Sequence, residues 1–207
     1  MSNASSSPAP IAAKIDLVPL YTIIGRLNLP GAALAVIPPD ATPSLALDAL
    51  VRAGYGTAAL RLVAHSLPKR EAVWWACMCA EHTAPDPLPQ AELAVAHSAQ
   101  AWVRRPHDEA GFAAYALAER CGMRSAECWT AVAANWCGST LSGPGLPPVA
   151  PPPHLPGIAV YGAVALALAR APAEQHPAVT ARFISSARDI ATGGAGRLRR
   201  DEPMMLA

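Results

Sequence analysis

The chain has 207 residues, enough for one well-buried core but short of two independent domains. Its formal charge is +1 and only 15% of residues are charged, which excludes a strong long-range field for drawing in nucleic acid or an anionic membrane. Hydrophobic residues reach 52% while aromatics stay at 5%, because alanine carries the count, and an alanine-rich, β-branch-poor composition predicts an all-α fold.

Residues 1–13 have neither a basic leader nor an apolar run, so a disordered tail and a cytoplasmic location are expected. A helical core is predicted over 14–137. It opens on apolar stretches broken by Pro19, Gly25, Pro30 and Gly31, where only short helices are expected. Thr42 before Pro43 is a helix start, a capping hydroxyl followed by proline at the first helical position. Leu47, Leu50, Val51 and Gly54 follow at helical spacing, with Asp48 and Arg52 placed to pair outside. The second helix carries Tyr55, Ala59, Leu62, Val63 and Ser66 on one face, and Pro68 restarts the chain as a third. A fourth, about Pro89 to Arg104, turns Ala91, Val95, Ala99, Trp102 and Val103 inward. Pro106 and Asp108 open a fifth bearing Phe112, Tyr115, Ala116 and Leu117. Ser125 caps a sixth with Trp129, Val132, Ala133 and Trp136 as its stripe.

Turns this short predict antiparallel helical hairpins, gathered in a bundle or short solenoid-like stack. Residues 138–156, "GSTLSGPGLPPVAPPPHLP", read as a stiff, extended Pro-rich strap. A C-terminal helical hairpin over 157–193, packed on the core, comes next. Gly193 and Gly194 stop its second helix, and 194–207 is expected to fray. The apolar run from Gly157 to Ala169 is well short of the roughly 20 residues a membrane span needs, so it predicts a buried helix.

The third helix holds the oddest stretch, "PKREAVWWACMCAEH", residues 68–82. Successive helical residues are about 100° apart, so Trp74 and Trp75 face different neighbours. From Val73 to Ala80 there is no polar side chain, and a helix apolar all round is surrounded by other helices. Lys69 and Arg70 sit in its first turn, where cations oppose the helix dipole at about 0.3–1 kcal/mol. Either they meet a neighbouring helix or solvent, or they dock a partner. On the second reading Lys69, Arg70, Glu71 and Trp75 form the candidate partner-binding set.

No catalytic or metal set emerges. Cys77 and Cys79 point about 200° apart on a helix and cannot share one ion with His82. The five cysteines read as structural thiols, Cys121 and Cys128 being the most exposed. "GGAG" at 193–196 follows a helix and lacks a phosphate-binding lysine, so it is a helix stop. "RLRR" at 197–200 runs straight into Asp201 and Glu202, which argues against a nucleic-acid arm. Asp108 and Glu109 belong to a helix start, Asp189 to a solvated face. No cofactor is expected. The function expected is a non-catalytic interaction protein; the alternative is a ligand-binding or enzymatic domain with a site between helices, drawing on His65, Cys77 and His82.

Three segments, "AALRLVAHSLPKREAVWWACMCAEH", "WCGSTLSGPGLPPVAPPPHLPGIAVYGAVALALA" and "HPAVTARFISSARDIATGG", carry a resemblance. They resemble an uncharacterised family of bacterial helical proteins, mostly proteobacterial, associated with type VI secretion loci. The likeness runs over about residues 55–193. It implies an adaptor or chaperone-like accessory factor with a secretion component or effector as partner, and it brings no catalytic residue.

Overall fold

The computed structural model describes residues 14–198, so the expectations for 1–13 and for the end of the tail lie outside the described residues. Two 3₁₀ turns, Lys14–Leu17 and Ile24–Arg26, flank α1 (Leu20–Ile23), and α2 (Gly31–Ala35) follows, as the Pro/Gly-broken sequence predicts. The main helices are α3 (Pro43–Arg52), α4 (Gly56–Ser66), α5 (Lys69–His82), α6 (Gln90–Arg104), α7 (Asp108–Arg120), α8 (Ala126–Trp136), α9 (Leu155–Leu168) and α10 (His176–Ala191). No strand occurs among the described residues, and the helices pack on one another as an all-α bundle.

Local chemistry sets several of the boundaries. Thr42 Oγ1 accepts from Leu45 N at 3.3 Å with Pro43 at the first helical position, and Ser125 Oγ accepts from Cys128 N at 3.3 Å, the two caps the sequence predicts. At α7 the cap is His107, whose Nδ1 accepts from Ala110 N. Asp48 pairs with Arg188 of α10 rather than with Arg52 on its own helix. Two predicted faces shift. Ala91 is exposed, and α7 turns Gly111, Ala114 and Ala118 inward while Phe112, Tyr115, Ala116 and Leu117 are half-buried. The reason is close approach: a Cβ at Gly111 would lie 3.2 Å from the Asn135 backbone, so only a small-residue face lets α7 press against α8.

At the centre is α5. From Ala72 to Ala80 every residue except Trp74 is buried, and the helix touches α4, α6, α8, α9 and α10. Trp75 is fully enclosed and donates Nε1–H to Phe183 O at 2.9 Å, so the indole loses no hydrogen bond on burial. Although α4 and α5 are joined by two residues, they share little surface: Pro68 is extended (φ −54°, ψ 148°) and re-aims the chain, so each packs on α9 instead. That helix, expected to be buried, wedges between α4, α5 and α8 and leaves Ile158 exposed. The paired helices α9 and α10 meet at a bend of 118° and share little surface; α10 lies on α4 and α5. Among the described residues no single helix is long and apolar enough to cross a membrane.

The Pro-rich segment, expected extended, and the residues after α10, expected to fray, both make specific contacts. The Pro-rich segment is pinned at its start, where Ser139 N donates to Asp108 Oδ1 at 2.8 Å and its hydroxyl to Oδ2. It then folds back on itself, with Leu141 N to Val149 O at 2.7 Å and Val149 N to Thr140 Oγ1 at 3.0 Å, before reaching α9. At the other end α10 stops in a Schellman motif: Gly194 N donates to Asp189 O and Gly193 N to Ile190 O. Instead of fraying at once, residues 194–196 are stapled down. Gly196 N donates to Asp189 Oδ2 at 2.7 Å, Ser186 Oγ to Gly196 O, and Trp74 Nε1 to Ala195 O at 2.8 Å. Asp189 thus holds the chain end rather than merely facing solvent.

Candidate functional site

The first turn of α5 abuts the C-terminal ends of two other helices, which resolves the apparent dipole conflict. Lys69 Nζ donates to Cys137 O, just past α8, at 3.2 Å, and Arg70 Nε donates to Val103 O in the last turn of α6 at 2.7 Å. Carbonyls at helix C-termini lack intrahelical partners and carry partial negative charge, so the two cations stabilise neighbouring helices while opposing their own. Glu71 pairs with Lys14 at 2.7 Å. Partial burial pushes the Glu71 carboxyl up, but the hydrogen bond and charge of Lys14 outweigh it and hold the group below its ordinary range.

Beside this head lies an open groove of about 350 Å³. Trp74, Val103 and Ile190 supply its apolar surface; Arg70, Arg104 and the Lys14–Glu71 pair supply its charge. Of the partner-binding set read from the sequence, Arg70 and Glu71 line this groove, whereas Lys69 borders a different cleft, the one that holds His65. Trp75 must be withdrawn, since it is 0% exposed and engaged with α10. Its neighbour Trp74, half-buried, is the indole that lines the groove. Sequence reading chose the wrong indole of the two because periodicity alone does not say which side of α5 is left uncovered. Arg104, which reads as an ordinary helix end, and Lys14, distant in sequence, were also missed.

A second polar feature had no sequence forecast. Glu127, 2% exposed in the first turn of α8, is gripped by Arg170 through two hydrogen bonds, Nη1 to Oε1 at 2.9 Å and Nη2 to Oε2 at 2.6 Å. Arg170 also donates to Ala80 O at 3.3 Å and stands 3.9 Å from Glu92. Burial disfavours the Arg170 charge, yet the hydrogen bonds and charge of Glu127 raise its pKa above the usual value. The cluster ties α5, α6, α8 and the end of α9 together and borders a cavity of about 210 Å³, where Cys77 and Thr130 meet Leu93, His97 and Glu127. The available signal was Glu127 itself, a carboxylate two residues past a cap within an otherwise apolar segment.

His65, Cys77 and His82 do not converge. His65 lines a cleft with Pro153, His154 and Gly157, Cys77 faces the α5–α6–α8 cavity, and His82 meets the Phe183 ring edge-on at 6.1 Å. Burial, with Arg61, His154 and Arg26 nearby, lowers the His65 pKa to about 4. Burial pushes the Cys77 and Cys137 thiols up to about 12 and holds the Cys79 thiol well above its usual range. Cys128 is fully buried, contrary to the sequence reading, whereas Cys121 is half-buried with its thiol raised to about 11 by burial and by neighbouring Cys128. No three His, Cys, Asp or Glu side chains are grouped as metal ligands among the described residues.

A family model matches residues 46–191, most of the helical body. The chain belongs to DUF6931, a family of unknown function. No curated protein and no solved structure matches it. The DUF6931 segment contains Arg70, Glu71, Trp74, Val103, Arg104 and Ile190 of the groove and both Glu127 and Arg170. Lys14 and the short helices before α3 lie outside it.

Proposed function

We propose that this DUF6931 protein is a non-catalytic adaptor or chaperone-like accessory factor that holds a protein partner in the groove beside the α5 head. The carrying observation is the groove: an open apolar floor with exposed cations, built on a helix that five others enclose. A rigid support keeps such a surface preorganised, which lowers the entropic cost of binding. Buried thiols held protonated at neutral pH are poor nucleophiles, which favours binding over covalent chemistry. The sequence resemblance supplies the setting, a cytoplasmic role in type VI secretion with a secretion component or an effector as partner.

The test is site-specific photocrosslinking in native cells, with p-benzoylphenylalanine in place of exposed Ala101, one turn before Arg104 on α6, and, as control, in place of exposed Ala181 on α10. A discrete crosslinked secretion protein from position 101 alone supports the reading. No product, or the same products from both positions, overturns it.

A second reading, a small-ligand protein, draws on the α5–α6–α8 cavity. Its polar side holds Glu81 and Glu127 with one compensating arginine, and its walls are apolar, a combination suited to a small alkylamine. A saturable rise in melting temperature with butylamine and none with butanol supports it; equal responses dismiss it.

A further inference from the structure

Resting on the adaptor reading, we infer that the groove selects an acidic, extended segment of the partner, with carboxylates for Arg70 and Arg104 and an apolar side chain for Trp74. Charge complementarity carries this. Lys14 is already neutralised by Glu71. Arg70 uses only Nε, on Val103 O, and Arg104 makes no hydrogen bond or ion pair among the described residues. Two guanidinium groups therefore border one apolar floor with a local excess of positive charge. Guanidinium binds carboxylate through paired, charge-assisted N–H donors, and its weak hydration makes the desolvation cheaper than for lysine.

The size of the site picks the class of partner. A groove of about 350 Å³ admits a few side chains. Nucleic acid requires a longer basic stripe, and an anionic membrane a cluster of about four to eight cations. The chain as a whole carries only +1, so a long-range field adds little to the attraction at the groove.

The experiment is fluorescence anisotropy on the full chain with a fluorescein-labelled hexapeptide of glutamates around one phenylalanine, and with its glutamine counterpart. The glutamate peptide binds at least about tenfold tighter, and Arg104→Glu weakens it about tenfold or more. Arg104 is exposed and uninvolved in packing, so this variant stays folded, its melting temperature lowered by no more than about a few degrees by the reversed charge at the C-terminal end of α6. Equal binding of the two peptides, or an Arg104→Glu variant as tight as wild type, overturns the inference. So does displacement of the glutamate peptide by phosphatidylserine vesicles or a single-stranded oligonucleotide at lower concentration than by unlabelled peptide. Two variants separate this claim from the adaptor reading in recovery of the crosslinked partner. Arg104→Trp obstructs the groove for any partner, whereas Arg104→Glu repels only an acidic one. Loss with both supports both claims; loss with tryptophan alone leaves the adaptor reading and sinks the acidic one; retention with both sinks the two together.

Discussion

The imidazole of His65 on α4 lies directly over Gly157 on α9, so close that a Cβ at 157 would stand 2.6 Å from the ring Cγ. Because Cγ is a single bond from the His65 Cβ, the ring has no easy way to swing aside. This approach fixes how α9 crosses α4. Gly157→Ala gains up to about 1 kcal/mol of helix propensity but forces overpacking that costs about 1–3 kcal/mol. The expected result in urea unfolding is a net loss of about 1–2 kcal/mol, relieved when His65→Ala is added. Strict additivity of the two changes would contradict the contact.

The same histidine predicts a pH dependence. Its folded pKa, about 4, lies below the ordinary 6.5, so the unfolded chain takes up the proton first as pH falls. The stability contribution is full above about pH 6.5 and is lost progressively down to about pH 4. One unit is worth about 1.4 kcal/mol, and discounting for partial solvation of the ring leaves about 1–2 kcal/mol. The melting temperature of wild type should fall relative to that of His65→Phe from about pH 6.5 down to about pH 4; parallel curves would refute the assignment.

Glu127 and Arg170 form a pair whose halves are worth less apart than together. Glu127→Ala leaves Arg170 half-buried without its carboxylate and should cost about 3–5 kcal/mol. Replacing both, as Glu127→Leu with Arg170→Met, should recover most of that loss, because the desolvation cost disappears along with the attraction. A double variant as unstable as the single one would show that the pair is needed for more than charge compensation.

The all-helical body was legible from composition and periodicity, down to the caps at Thr42 and Ser125, because those signals are local. The special place of α5 was legible too, since eight residues from Val73 to Ala80 without a polar side chain leave it nowhere but the interior. What escaped depends on long-range geometry. The difference between Trp74 and Trp75 is decided by where α10 and residues 194–196 come to rest, and the partnership of Glu127 with Arg170 spans 43 positions. Likewise, cations at a helix N-terminus read as unfavourable until the ends of α6 and α8 are seen beside them.

The stapled end of α10 gives a further prediction. Gly196 has φ +62°, and a Cβ there would sit 2.5 Å from Ile190 Cδ1. Gly196→Val should undo the hydrogen bonds from Ser186 and to Asp189, and release Ala195 from the Trp74 indole. The effect should be about 1–3 kcal/mol in stability, with a red shift in tryptophan emission as Trp74 becomes wetter. An unchanged spectrum would mean that 194–196 does not cover Trp74 in solution.

The central claim, that α5 is enclosed by its neighbours and offers only its first turns to a partner, is tested most directly by timed thiol alkylation of the native protein, read by peptide mass spectrometry. Cys121 should react first and slowly, while Cys77 and Cys79 should react only at the rate of global unfolding and become fully labelled in denaturant. Labelling of Cys77 or Cys79 in native buffer at a rate approaching that of the denatured chain would contradict the account.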